Sequence, residues 1–134
     1  MPARDGSRYQ LRIGNDPAPF FVTAAVSPEA LQKGLSGRPD LPSGQGLLFV
    51  FKDLAHHSMW MPDMHFALDI VWLDETMTVL SVHQNVPPCQ ADPCPSFVSP
   101  FLALYAIEMR AGDAMAYGFT PSTQVRVAAE LNGA

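Results

Sequence analysis

Histidines and carboxylates gather in one segment of the chain, and they are the first candidates for metal chemistry. They are His56, His57, Asp63, His65 and Asp69. Imidazole nitrogens and carboxylate oxygens suit zinc or another divalent transition ion. In an extended strand, however, His65 and Asp69 would lie about 13 Å apart at ~3.3 Å per residue, too far to share one ion. Because no HExxH or cysteine-rich spacing accompanies them, we predict no metal site and interpret the histidines as solvent-facing loop residues.

The two cysteines, Cys89 and Cys94, are close in sequence and flanked by prolines. This spacing favours a small disulfide loop, which contributes about 2 kcal/mol in the chain-entropy model and rigidifies the segment more than the whole protein. Free thiols are the alternative. Two cysteines alone cannot complete a zinc site.

No reaction-defining motif occurs in the sequence. GxSxG, Walker and GxGxxG patterns are absent, and residues 43–46 lack the helix and lysine that a phosphate cradle needs. We therefore predict no cofactor, and we favour a non-catalytic function over an enzymatic one.

Composition restricts the class of protein and its partners. The chain has 134 residues, of which 48% are hydrophobic and 16% charged, with a net charge of -5. A chain of this length fits one core, so we predict a single domain over residues 1–134. The scattered basic residues provide no electrostatic footprint for a phosphate backbone, and we expect no nucleic-acid partner.

The amino-terminal residues are polar and resemble no signal peptide, and no later run approaches the 18 apolar residues of a membrane span. We expect a soluble chain without an export signal as given. A periplasmic or secreted location is the alternative for a chain whose signal has been removed.

Apolar patterns predict the elements that position these side chains. Alternation over residues 9–13 and a β-branched and aromatic run over 20–26 are typical of strands. Runs over 47–51 and 66–73, apolar on both faces, predict buried strands. We expect residues 66–83 to form a β-hairpin. The segment 85–100, with five prolines, predicts a surface loop.

The sequence contains few helix signals, which favours a mainly β fold. Ser27, Pro28 and Glu29 predict the start of a short helix that ends at Gly34. Strands over 102–109 and 124–128 and a short helix or turn over 112–118 complete the chain. We predict a mainly β fold, a small antiparallel β-barrel or sandwich with one or two short helices.

The order of the motifs GLSGR, GLLFVF, MWM, ALDIVWLD and YAIEMRAG resembles the Domain of Unknown Function 192 family over about residues 22–128. The matched positions are Gly34, Leu35, Arg38, Gly46, Leu48, Phe49, Phe51, Trp60, Met61, Leu68, Asp69, Glu108 and Gly112. The resemblance implies a compact β-rich domain of a bacterial or archaeal type that is often exported or lipid-anchored, with no established activity.

The chain departs from the family pattern in the middle of the match. Pro62, Asp63 and Met64 stand where the family has Lys, Asn and Thr, and Ala67 stands where it has Pro. If the Lys-Asn-Thr segment touches a ligand in the family, this chain has an altered site.

Arg38, Asp69 and Glu108 are the polar residues that the resemblance matches, and each adjoins apolar sequence. Buried charges must be paired or hydrogen-bonded, so a structural network is one interpretation of them. The other is a ligand site, to which Trp60 would add an aromatic face.

Three functions remain open. The leading hypothesis is a non-catalytic module that binds a small molecule, for example a carbohydrate, through Arg38, Trp60, Asp69 and Glu108. The second is a hydrolase-like enzyme that uses Asp69 and Glu108 as acid and base, with Arg38 holding an anionic group. The third is a protein-interaction module that uses the loop 85–100.

Overall fold

A computed structural model describes residues 3–60, 63–89 and 93–131 and contains nine strands and two short helices in this part of the chain. In chain order they are β1 (Arg8–Ile13), β2 (Phe20–Ala25), α1 (Pro28–Lys33), β3 (Gln45–Ala55), β4 (Ser58–Trp60), β5 (Leu68–Leu73), β6 (Val79–Val86), β7 (Ser96–Val98), β8 (Ala103–Arg110), α2 (Asp113–Ala116) and β9 (Val125–Leu131).

The long strands form one mixed seven-stranded sheet in the order β6-β5-β8-β3-β2-β1-β9. All neighbours are antiparallel except β2 and β3, which run parallel with Ala24 opposite Leu48. A parallel pair needs a crossover connection, and the segment that contains α1 provides it. The prediction of a mainly β fold with two short helices is confirmed.

The sheet fits a sandwich rather than a barrel. Its two edge strands, β6 and β9, adjoin an isolated bridge between Thr78 and Gln124, but in the described part of the chain the ladder between them does not continue. The edges therefore approach each other at one end while the sheet stays open.

Each face of the sheet carries its own hydrophobic core. Leu48, Val71 and Ile107 contribute to one cluster, which also contains the inward residues of β1, β2 and β9. Their sequence neighbours Ile70 and Ala106 contribute to the other, because successive strand residues point to opposite faces. Hence all six residues of β5 are buried, as the two-sided apolar pattern predicted.

Helix α1 begins and ends as the sequence predicted. The Ser27 side chain accepts a hydrogen bond from the Ala30 backbone N–H at 3.2 Å, and Pro28 occupies the first turn. Gly34 follows the last residue with φ of 50° and ψ of -129°. Leu31 and Leu35, on and just after α1, pack into the second core.

A two-stranded sheet of β4 and β7 was not predicted. Met59 pairs with Phe97 in it, and both side chains join the second core. Part of the proline-rich segment 85–100 therefore forms a ladder, because Ser96–Val98 lies between prolines and retains its own backbone donors. Residues 90–92 of that segment and residues 61–62 lie outside the described part of the chain.

Candidate functional site

A cleft of about 220 Å³ opens on the second face of the sheet, between the end of α1, β3 and β4. Its walls combine polar side chains with a somewhat larger apolar part, which includes the aromatic rings of Phe49, Phe51 and Trp60 and the thioethers of Met59 and Met64. Concave apolar surfaces with few polar groups are typical of small-ligand sites, although this cleft is smaller than the roughly 300–1,000 Å³ of most of them.

Sheet register explains why these side chains meet. Phe49 and Phe51 are two residues apart on β3, so they share a face and stack with centroids 6.2 Å apart. Glu108 on β8 lies opposite Leu47 on one side and Ile70 on the other. Because directly opposed residues share a face, the Glu108 side chain enters the second core and lies beneath the cleft.

Glu108 is the buried polar group of this cleft. It is 3% exposed, and its Oε1 atom has no hydrogen-bond partner among the described residues. The backbone N–H of Leu35 donates a hydrogen bond to the carboxyl group. Burial raises the pKa of Glu108 to about 8, and the Leu35 hydrogen bond opposes this rise without overcoming it. The carboxyl group is therefore mostly protonated at pH 7.

Gly34 lies directly over Glu108. A Cβ atom at this position would be 3.3 Å from Glu108 Oε1 and 3.2 Å from Phe49 Cζ. Its backbone conformation, with positive φ, is also one that residues with side chains rarely adopt. The glycine thus ends α1 and at the same time places no side chain against the Glu108 carboxyl, whose Oε1 atom is itself buried.

The two tryptophans occupy contrasting environments. Trp60 is 50% exposed and lines the cleft, whereas Trp72 is fully buried. The indole N–H of Trp72 donates to His83 Nδ1 at 2.9 Å, and burial lowers the pKa of His83. Trp72 is a core residue, and Trp60 is available to a ligand.

Asp69, the second carboxylate of the predicted site, lies on the opposite face of the sheet. It is opposed by Met109, one position from the pair of Ile70 and Glu108, so its side chain points the other way. Its oxygens accept from the backbone N–H groups of Asn85, Gly112 and Ala114 at 2.9, 2.9 and 3.0 Å.

Through these three hydrogen bonds, Asp69 connects β5 to the end of β6 and to the start of α2. Ala114 lies in the first turn of α2, and Asn85, near the end of β6, adopts a positive φ of 54°. A carboxylate that accepts from exposed helix N–H groups replaces the side-chain cap that Gly112 cannot supply. A second hollow of about 340 Å³ adjoins Asp69, but this carboxylate already has its partners.

Arg38 is exposed, on the loop after α1, and it does not line the cleft of Glu108. No ion pair joins it to a carboxylate within the described ranges. The structure thus brings Trp60 and Glu108 together and places Asp69 and Arg38 elsewhere.

The histidines do not assemble a metal centre. The ring of His57 stacks on Phe51 with centroids 3.8 Å apart, and His56 Nδ1 lies 2.9 Å from the Ser99 carbonyl oxygen. His65 and Asp63 are 3.8 Å apart on the surface. Over residues 3–60, 63–89 and 93–131, no three His, Cys, Asp or Glu side chains gather around one point.

Cys89 and Cys94 are joined by a disulfide, with their Cα atoms 5.6 Å apart. The residues between them include 90–92, which lie outside the described chain. No helix in the described part of the protein has the length and apolar character of a membrane span.

Sequence reasoning missed the contribution of Met59, Met64 and Gly34 to the cleft. Met59 carries no sequence signal beyond hydrophobicity, Met64 is notable only as a departure from the family pattern, and Gly34 only as a helix end and a matched glycine. The combination of a positive-φ glycine with a matched buried glutamate could have indicated a close approach, but only the strand register shows that the two meet.

An open mixed β-sandwich with a small apolar cleft over a buried glutamate defines the structural class of this protein. The chain belongs to the DUF192 family, described as "Uncharacterized ACR", whose sequence profile matches residues 9–127. This confirms the resemblance and extends it toward the amino terminus. No curated protein matches the chain significantly.

Two crystal structures share the fold. A protein from Sinorhizobium meliloti, provisionally named a transcription regulator, has a TM-score of 0.83 and 22% identity, covering 94% of this chain and 98% of its own. A protein of unknown function from Novosphingobium aromaticivorans has a TM-score of 0.79 and 19% identity, covering 94% of this chain and 89% of its own. At these identities the similarity establishes the fold.

Proposed function

We propose that this protein is a non-catalytic, single-domain module that binds a small molecule in the cleft over Glu108. The observation that carries the proposal is the buried Glu108 Oε1 atom, which has no hydrogen-bond partner in the described part of the chain and lies at the base of the cleft. Buried polar atoms in native proteins are nearly always satisfied, so an unsatisfied one beside a cleft calls for an explanation. A bound ligand would supply the missing hydrogen bond.

The walls of the cleft support the same proposal. Trp60 presents a half-exposed aromatic face, and Phe49 and Phe51 lie deeper. Aromatic rings provide a large contact area at low entropic cost. The volume of about 220 Å³ limits the ligand to a single ring or a short chain.

The geometry does not favour acid–base catalysis by Asp69 and Glu108. The two side chains point to opposite faces of the sheet, and Asp69 is saturated by backbone donors. General acid and base groups must both reach the substrate within hydrogen-bond distance. The cleft therefore contains only one of the two carboxyl groups that the enzymatic hypothesis requires. A binding function does not require the second one.

The provisional name of the Sinorhizobium protein suggests a role in transcription, which we do not carry over to this chain. A net charge of -5 opposes association with a phosphate backbone. The loop 85–100 as a protein-interaction surface remains a weaker proposal, because none of its described contacts points to a partner.

Fluorescence and melting of the intact protein test the binding proposal. A panel of millimolar neutral, cationic, anionic and sugar fragments is screened for a rise in Tm, and hits are titrated by tryptophan fluorescence. A ligand at 100 times its Kd stabilises the protein by about 2.7 kcal/mol. We expect the fluorescence response to vanish in Trp60→Phe, which retains Trp72, while the rise in Tm persists.

The control is Trp60→Phe itself, which keeps an aromatic ring in the cleft. If no fragment of any class raises the Tm or changes the fluorescence of the wild-type protein, the binding proposal is wrong. If a fragment binds but acts equally on Glu108→Gln and on a variant with the cleft blocked, Gly34→Leu, the site lies elsewhere.

A further inference from the structure

We propose that the ligand class of the cleft is a small organic cation, an ammonium group on an apolar body, with Glu108 as its counter-ion. This inference deepens the proposed binding function and rests on it. Three features of the cleft support it: a buried carboxyl group without an ion-pair partner among the described residues, aromatic walls, and a glycine, rather than a residue with a side chain, next to that carboxyl.

The carboxyl group lacks a positive partner. Among the described residues, no ion pair involves Glu108. Lys33 is the other charged residue that lines the cleft, and it is exposed. A buried carboxyl group without compensation stays neutral rather than ionised. A ligand that brings a positive charge to Oε1 would allow it to ionise and form a charge-assisted hydrogen bond or ion pair.

The aromatic walls favour the same chemistry. Phe49, Phe51 and Trp60 line the space above Glu108. Ring faces attract cations, and the attraction grows when the pair is shielded from water, which is why aromatic cages bind quaternary ammonium groups. Anionic ligands would meet the acidic side chain without any compensating buried cation.

The charged groups around Glu108 determine how binding depends on pH. On the side of α1 the charged group is Lys33, which is exposed. Beyond Met64, Asp63 and His65 interact with each other at 3.8 Å. On β5, Asp69 points to the other face. Glu108 is thus the group near the cleft whose titration should control binding of a permanent cation.

The sign of the pH dependence follows from the state of the free protein. Burial raises the pKa of Glu108 to about 8, so below this pH the carboxyl must lose its proton to bind a cation. Affinity for a permanent cation should therefore rise by about tenfold per pH unit up to about pH 8 and level off above it. At about pH 7, binding should release close to one proton per ligand.

Matched pairs of probes test the charge requirement. Choline is compared with its neutral carbon isostere dimethylbutanol, and phenethylamine with phenylethanol, by isothermal titration calorimetry on the intact protein. We expect each cation to bind at least about tenfold more tightly than its isostere at pH 9. At this pH the cation can form an ion pair with the ionised carboxyl group, and the neutral isostere cannot. Titrations in buffers of different ionisation enthalpy measure the released proton.

Two variants keep the test decisive. Glu108→Gln retains the shape but not the charge, so it should abolish the preference for cations, the proton release and the pH dependence. Glu75→Gln, at an exposed position, should leave all three unchanged. Far-ultraviolet circular dichroism and the Tm confirm that both variants are folded.

The possible results separate this inference from the binding proposal. If neutral or anionic fragments bind at Trp60 while cations show no preference over their isosteres, the cation inference is wrong and the binding site stands. A cation preference that persists in Glu108→Gln overturns the role of Glu108. If no fragment binds the wild-type protein, both proposals fail together.

Discussion

Asp69 and Glu108 lie on neighbouring strands, one position apart in register. Their carboxyl groups nevertheless lie on opposite faces of the sheet and differ in their hydrogen bonding. Asp69 accepts three backbone hydrogen bonds and ties β5 to the start of α2 and the end of β6. Glu108 accepts one, from Leu35, and its Oε1 atom has no partner within residues 3–60, 63–89 and 93–131. Burial alone therefore does not distinguish a structural carboxyl group from one in a candidate ligand site. A satisfied buried carboxylate stabilises the fold, whereas an unsatisfied one beside a cleft is the group on which the binding proposal rests.

The largest effect is expected on the Asp69 side. Asp69→Asn replaces two accepting oxygens by one and turns an amide N–H group toward backbone donors. Buried donors left unsatisfied cost about 1–3 kcal/mol each, so we expect a loss of roughly 3–5 kcal/mol in the free energy of unfolding. Urea denaturation measures it, with Asp53→Asn as the control for a lost charge at an exposed position. Equal stability of the two variants would break the comparison.

On the Glu108 side, the effect should depend on pH. The pKa of Glu108 is raised from 4.5 to about 8 by burial, so the folded protein binds a proton that the unfolded chain has released. Its stability should fall as pH rises from about 4.5 to about 8, in total by on the order of 3–5 kcal/mol, and then stay level. Glu108→Gln cannot ionise and should lack this fall.

Urea denaturation at about pH 4, 6 and 9 checks the expectation, because it brackets the window in which the proton is lost. We expect Glu108→Gln to gain stability relative to the wild-type protein only toward high pH. Glu75→Gln should follow the wild-type curve. Parallel curves for Glu108→Gln and the wild-type protein would show that the buried carboxyl is not held neutral.

The smallest effect concerns Gly34, which lines the cleft next to Glu108. Gly34→Ala places a Cβ atom 3.3 Å from Glu108 Oε1 and adopts an unfavourable positive φ. We expect a loss of roughly 1–2 kcal/mol in the free energy of unfolding, together with weaker ligand binding. Thermal denaturation and a fluorescence titration with the best fragment measure the two effects.

Gly6→Ala is the matched control for this variant, because Gly6 also has a positive φ but its Cβ would meet nothing within 4 Å. It should carry the cost of backbone strain without any loss of binding. If both variants bind the fragment equally well, Gly34 does not control access to Glu108.

Most of the sheet was predictable from local patterns. The alternation of β1, the two-sided apolar run of β5 and the Ser27–Pro28 start of α1 are signals within a few residues, and the structure has elements at each of them. The family resemblance also indicated Glu108 as one of the matched polar residues. These features were accessible because short-range sterics and hydrogen bonding favour them before any long-range contact forms.

The pairing of β4 with β7 was not predictable in the same way. Each strand has three residues, and they are separated by more than 30 positions that include β5 and β6. Such short segments have no periodicity to detect, and their pairing depends on the packing of Met59 and Phe97 against the second core. The cleft borders this small sheet, so it was not predictable either.

By itself, the sequence determined that the chain is a mainly β protein with a short capped helix, and it indicated Arg38, Trp60, Asp69 and Glu108 as candidate site residues. Only the tertiary structure decided that Asp69 and Glu108 belong to opposite faces. The reason is that successive side chains of a strand point to opposite faces. A difference of one residue in register therefore decides whether a carboxylate faces backbone donors or the cleft. Register between strands distant in sequence is set by packing of the whole sheet, which no local pattern specifies.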